Sequence, residues 1–192
     1  MKKILIINGH PNSDSYCHAL AHAYKEAAMK GGNEVWLMNT NELKFQQNLE
    51  HGYSKRTELE PDLLVAQQKI TWADHLVIIH PVWWGSVPAQ LKGFFDRVLL
   101  PGFAFKYRQK GLLWDKLLAG KTGHVIYTTD TPLWIYRFFY RAPSVNQVKD
   151  RVLGFCGITP VKVTGIGPIR GSDPEFRKKW LEKVSQLGHR AA

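Results

Sequence analysis

Two adjacent tryptophans, Trp83 and Trp84, follow an apolar run in "HPVWWGSVP", residues 80–88, with no acid or base beside them. Core packing would explain an ordinary aromatic pair, but Gly85 and Pro88 constrain the backbone to a tight path just past a predicted strand. Indole faces and exposed amides there suit a flat, polar-edged heterocycle, stacked on its face and hydrogen-bonded at its nitrogen and oxygen atoms. A second stretch, "NGHPNSDSYCHAL" at 8–20, is a hydroxyl-bearing turn running into a helix start, where free amides and the helix dipole favour a phosphate. Ser13, Asp14 and Ser15 could equally be plain helix caps. The third stretch, "YTTDTP" at 127–132, offers Thr128, Thr129 and Asp130, whose carboxylate can cap the next helix or meet a ring edge.

Other chemistries fail on spacing. Neither G-x-G-x-x-G nor G-K-[ST] occurs, which weakens the dinucleotide and nucleoside-triphosphate readings. Cys17 sits at a helix start, where a thiolate can be stabilised. A phosphatase would need an arginine six positions on, and position 23 is Ala23. His18 and His22 are one helical turn apart but have no third ligand or H-E-x-x-H glutamate to complete a metal site. The only other cysteine is Cys156, so neither a disulfide framework nor a C-x-x-C pair exists.

The elements that must carry these loops are legible in the hydrophobic pattern. "KKILIING", "EVWLMN", "HLVIIHP", "GHVIYTT" and "VKVTGIG" are short β-branched runs, predicted as five strands. Between them, Leu20, Tyr24, Ala27 and Ala28 recur with helical period, as do Leu63, Leu64, Ala66, Gln67, Ile70 and Trp72 in a looser pattern. Residues 88–99 and 174–187 also read as helices, and Val145, Val148, Val152 and Phe155 form a stripe ending at Gly157. Buried strands alternating with helices predict a doubly wound α/β domain over residues 1–192, with a five-stranded parallel sheet and helices on both faces. Its ligands bind beyond the carboxyl ends of the strands, where all three loops fall. Residues 40–61 and 100–120 are expected to be irregular connections with a functional or subunit-contacting role.

The chain of 192 residues has no apolar run long enough to span a membrane. Its opening, "MKKILIINGH", reads as a strand rather than a signal peptide, so a cytoplasmic location is expected. The net charge of +10 lies wholly in the second half: residues 1–100 hold ten Lys/Arg against ten Asp/Glu, residues 101–192 sixteen against six. Solvated surface charge explains this first, an anionic partner second. No nucleic-acid-binding motif accompanies it, and none is expected as a partner.

The first loop with its "GHP", and above all "HPVWWGSVPAQLKGFFDRVLLPGFAF", resemble the flavodoxin-like NAD(P)H dehydrogenase (quinone) family, or NAD(P)H-dependent oxidoreductases. The second stretch is similar to the family's Pro-x-x-Trp flavin loop, Val-Pro-Ala, Leu-Lys-Gly-aromatic helix and Gly-Phe-Ala-aromatic tail. The resemblance extends over nearly the whole chain. It implies that His10, Ser15, Tyr16 and Cys17 surround a flavin phosphate, Ser15 by its hydroxyl and the next two chiefly by their amides. Pro81, Val82, Trp83, Trp84 and Gly85 would hold the isoalloxazine edge. Many members have Gln where Trp83 stands. Thr128 and Thr129 match a Thr-Thr-Gly-Gly loop in which Asp130 and Thr131 replace the glycines. The catalytic Tyr and His that mammalian members carry beyond this loop have no aligned counterpart, and Tyr136, Arg137, Tyr140 and Arg141 are the nearest candidates.

The resemblance implies an FMN enzyme, with FAD disfavoured by the short C-terminal part. NAD(P)H would be the co-substrate, a quinone or similar small molecule the acceptor, and turnover ping-pong. No side chain need act as nucleophile or base, since the flavin carries the chemistry. A homodimer is implied, with "LLPGFAF" at its interface. The alternative from another class is a regulatory flavoprotein that binds a membrane transporter.

Overall fold

The computed structural model describes residues 1–52, 54–55 and 57–191. In chain order the elements are β1 (Lys3–Asn8), α1 (Tyr16–Lys30), β2 (Glu34–Asn39), α2 (Pro61–Trp72), β3 (His75–Pro81), α3 (Ala89–Val98), β4 (Phe105–Tyr107), β5 (Trp114–Lys116), β6 (Thr122–Thr128), α4 (Leu133–Phe138), α5 (Pro143–Asn146), α6 (Gly154–Cys156), β7 (Val161–Ile166) and α7 (Pro174–His189). A π-helical stretch, Gln147–Leu153, joins α5 to α6.

The main sheet has the order β2-β1-β3-β6-β7 and is parallel throughout. Central β3 is buried along its whole length, as expected of a strand covered on both faces. One core packs Leu5, Ile7, Leu76, Ile78 and Val125 against α2, α3 and the 143–156 helical run. The other packs Ile4, Ile6, Val77, Ile79 and Ile126 against α1 and α7. Alternate residues of each strand thus serve opposite cores. Strand order reverses between β1 and β3, so the loops after these two strands diverge and leave a crevice at their carboxyl ends.

Two connections differ from the sequence expectation. Residues 100–120 contain an antiparallel hairpin, with Phe105 opposite Lys116 and Tyr107 opposite Trp114. Strands of three residues are too short to show alternation. In the helical run ending at Gly157, Leu153 and Cys156 are buried more deeply than the expected Val152 and Phe155. The wider π turn puts Val148 and Leu153, five apart, on one face.

Gln46, Glu58 and Glu60 are held from α3. The Arg97 guanidinium, fully buried, donates to the Gln46 and Glu58 carbonyls and to both carboxylate oxygens of Glu60. One turn earlier, a Cβ on Gly93 would lie 2.7 Å from the Gln47 carbonyl oxygen. The glycine of the Leu-Lys-Gly helix therefore lets a second backbone pass, and Arg97 ties that backbone down.

Candidate functional site

At the carboxyl ends of β1, β3 and β6, a cleft of about 220 Å³ is lined by His10, Tyr16, Cys17, Pro81, Val82, Trp83, Thr128, Thr129, Asp130 and Ile169. Nine of these are among the twelve residues the sequence singled out. Ser15, Trp84 and Gly85 lie outside the lining.

Ser15 is the N-cap of α1, and its hydroxyl accepts a hydrogen bond from the His18 amide at 3.3 Å. The capping reading of this residue is thus met, and α1 begins where the polar turn ends. The Tyr16 and Cys17 amides occupy the first two helical positions, have no intrahelical acceptor and find none elsewhere among the described residues. His10 braces the turn by accepting the Asn12 amide on Nδ1 at 3.0 Å, and its ring meets Trp83 edge-on at 5.6 Å. Buried Asn8 holds the base of the loop, accepting the His10 amide and donating to Asn39 on β2.

Beyond β3 the chain makes a two-residue turn closed by reciprocal Trp83–Ser86 backbone bonds of 3.0 and 2.8 Å. Its central residues, Trp84 and Gly85, have φ of +50° and +73°, the backbone of a type I′ turn. Glycine adopts this region freely, whereas an indole-bearing residue is strained there. The Trp84 side chain is fully exposed and does not line the cleft, because the turn geometry swings the indole outward while leaving its backbone amide in the loop. Ser86 donates to the Gln147 side chain at 3.0 Å, anchoring the turn to the helical run.

The third loop crosses to β7. The Thr129 amide bonds to Ile166, its carbonyl accepts the Ile169 amide, and Asp130 accepts the Arg170 amide at 2.9 Å. Asp130 caps no helix; Pro132 stands at the start of α4. Ile169 was missed by sequence reasoning because the loop after β7 carries no motif. Its place beside β6 at the sheet's carboxyl edge was the available signal. Tyr136 does not line the cleft; it is buried, with its hydroxyl 2.6 Å from that of Ser144. Arg137, Tyr140 and Arg141 do not line it either.

The electrostatics do not favour a nucleophilic thiol in this cleft. Burial pushes the Cys17 thiol up to about 12, only partly offset by Thr128, whose hydroxyl lies 3.4 Å from Sγ. Burial likewise raises Tyr16 to about 12, and its hydroxyl donates to the Arg177 carbonyl. His10 is shifted down by burial and stays neutral at neutral pH. No thiolate or matched acid–base pair results. The cleft offers amides, an aromatic wall at Trp83 and a buried thiol at its floor, with the Asp130 carboxylate at one side, an arrangement suited to holding a bound group that brings its own chemistry. Among the described residues no three His, Cys, Asp or Glu side chains gather as metal ligands, and no helix is long and apolar enough to cross a membrane.

Comparison with known proteins agrees with this geometry. A family model described as "Flavodoxin-like fold" matches residues 2–187. An uncharacterized NAD(P)H oxidoreductase of Haemophilus influenzae is 29% identical, with 95% of this chain and 92% of that protein aligned. NAD(P)H dehydrogenase [quinone] 1 of Cavia porcellus is 31% identical over 97% of this chain and 78% of its own. In fold, the chain is similar to an FMN-dependent NADH-azoreductase from Bacillus anthracis solved in complex with FMN, at a TM-score of 0.77 and 19% identity, with both chains wholly covered.

Proposed function

The chain belongs to the flavodoxin-like NAD(P)H dehydrogenase (quinone) family, and from that membership we propose that it is an FMN-dependent NAD(P)H oxidoreductase of quinones or similar small acceptors. The observation that carries this reading is the cleft itself, which gathers Tyr16, Cys17, Trp83, Thr128 and Thr129 at the switch point of the sheet.

The residues present fit FMN. The free amides of Tyr16 and Cys17 at the start of α1, with the Ser15 hydroxyl beside them, match a terminal phosphate. Pro81, Val82 and Trp83 supply a flat apolar wall, and the amides of Trp84 and Gly85, which have no acceptor among the described residues, match a ring edge. Thr128, Thr129 and Asp130 close the opposite side. When bound, FMN supplies two-electron relay between a nicotinamide and an acceptor that visit in turn. The chain's own part is to hold the ring rigidly between β3 and β6, keep the floor uncharged through Cys17, and narrow the entrance with the His10–Trp83 contact.

The active unit is proposed to be a homodimer. A mainly apolar groove of about 540 Å³ runs between α3, the hairpin and the helical run, lined by Phe95, Leu99, Phe105, Tyr107, Val152 and Phe155. Lys92 and Asp96, paired with each other at 2.7 Å, and Arg151 also line it, giving both signs of charge that a two-fold contact can re-pair across the subunits. A cytoplasmic site of action accords with two free thiols.

Purified protein reconstituted with FMN or FAD and then separated from free flavin tests the reading. A bound-flavin spectrum bleached by NADH or NADPH and restored by a quinone is expected. Absence of any bound flavin would end it. A flavin that reduces no acceptor faster than free FMN would favour the regulatory alternative.

A further inference from the structure

The face built by α4 and the residues after it is inverted relative to an ordinary amphipathic segment. Ile135 and Tyr136 turn inward, while Trp134, Phe138, Phe139 and Tyr140 are 59%, 73%, 72% and 60% exposed. Trp134 and Phe138 share a helix face at i and i+4, and Phe139 packs edge-on against Trp134 at 5.9 Å. Single exposed aromatics are unremarkable, but four within seven residues form a patch that calls for an occupant.

Its surroundings identify that occupant by charge. Arg137 and Arg141 are interleaved with the aromatics, and no Asp or Glu occurs from residue 131 to 149. Arg137 and Arg141 also line, with Lys149, Asn146 and Tyr127, a neighbouring cleft of about 590 Å³ that has no carboxylate in its walls. A second copy of the chain meeting this face about a two-fold axis would set arginine against arginine with no acid to answer it. Tryptophan and tyrosine favour the polar boundary of a bilayer, and arginines beside them favour anionic headgroups.

We propose that this face docks the protein on the surface of a membrane containing anionic phospholipids, with the aromatics at headgroup depth and a headgroup phosphate received between Arg137, Arg141 and Lys149. The contact is peripheral and is made by residues that do not line the cleft at the sheet's carboxyl edge.

Co-sedimentation of flavin-loaded protein with vesicles of phosphatidylcholine, with and without phosphatidylglycerol, tests the proposal. Binding to the anionic vesicles, weakened by salt, is expected. The triple variant Trp134→Ser/Phe138→Ser/Phe139→Ser and the pair Arg137→Gln/Arg141→Gln should each weaken it on the order of tenfold or more. Circular dichroism and flavin content would confirm that both variants are folded; the substituted side chains are exposed. Equal binding to both vesicle types, no binding at all, or wild-type binding by both variants would overturn the proposal. So would conversion of a dimer to a monomer by the triple variant, which would make the patch a subunit contact.

Discussion

At the scale of single residues, Trp83 and the buried histidines carry the sharpest expectations. Trp83 walls the cleft and is braced by His10, so Trp83→Gln should leave FMN bound while altering the wall against which acceptors lie. A change on the order of tenfold in relative kcat/KM among quinones is expected. Identical preferences would show that acceptors do not use this wall. His75, His80 and His124 are each lowered to about 4, chiefly by burial. His80 donates from Nδ1 to the Pro81 carbonyl and leaves Nε2 without a partner, so charging that ring would strand a buried cation. All three are neutral when folded, whereas in the unfolded chain they take up protons below about 6.5. Stability is therefore full above that pH and declines as the pH falls toward 4, by up to about 1.4 kcal/mol per pH unit for each histidine. Urea midpoints at pH 7.5 and 5.5 should show the decline, and His80→Phe should make it shallower; a flat profile would place these rings in contact with water.

At the scale of elements, α3 is both a wall of the core and a clamp. Arg97→Leu leaves the Gln46 and Glu58 carbonyls without their donor and the Glu60 carboxylate with the Gln46 amide but no cation, and should cost about 3–5 kcal/mol in urea unfolding. Arg97→Lys should recover only part of this, because a point charge cannot reproduce the guanidinium fork. A loss below 1 kcal/mol for Arg97→Leu, a threshold set by exposed pairs, would show that water replaces the clamp. None of this was legible in the chain, since Arg97 and Glu60 are 37 residues apart and nothing in the local pattern of either points to the other. The five strands were legible because each is a short run rich in β-branched and apolar residues, almost wholly buried in β1, β3 and β6 and only partly in the edge strands β2 and β7, and with them the edge where ligand loops must fall. The hairpin at 105–116 was hidden by its three-residue strands. That the Trp84 indole points outward was not legible, because a doubled Trp does not say which residue takes the outward corner of a type I′ turn. Ile169 needed the pairing of β6 with β7 before it could be seen.

At the scale of the whole molecule, two faces ask for different partners. The groove beside α3 carries both signs of charge and suits a second copy, whereas the α4 face is purely cationic. Leu99→Glu, at the groove, should convert a dimer to a monomer in analytical ultracentrifugation and lower turnover if the partner helps to form the site. A variant that stays dimeric would move the interface elsewhere. The thiols have a further consequence for an enzyme of this kind. Quinones are soft electrophiles that arylate thiolates, and a protein that gathers them beside its own cysteine risks inactivating itself. Cys17, in the cleft, and Cys156, by the groove, are both almost inaccessible, and burial raises them to about 12 and about 11. At neutral pH the nucleophilic form is scarcely present at either position. The native protein should therefore keep its mass unchanged through exposure to N-ethylmaleimide and take up two adducts once unfolded, the protection that the proposed turnover of quinones would require.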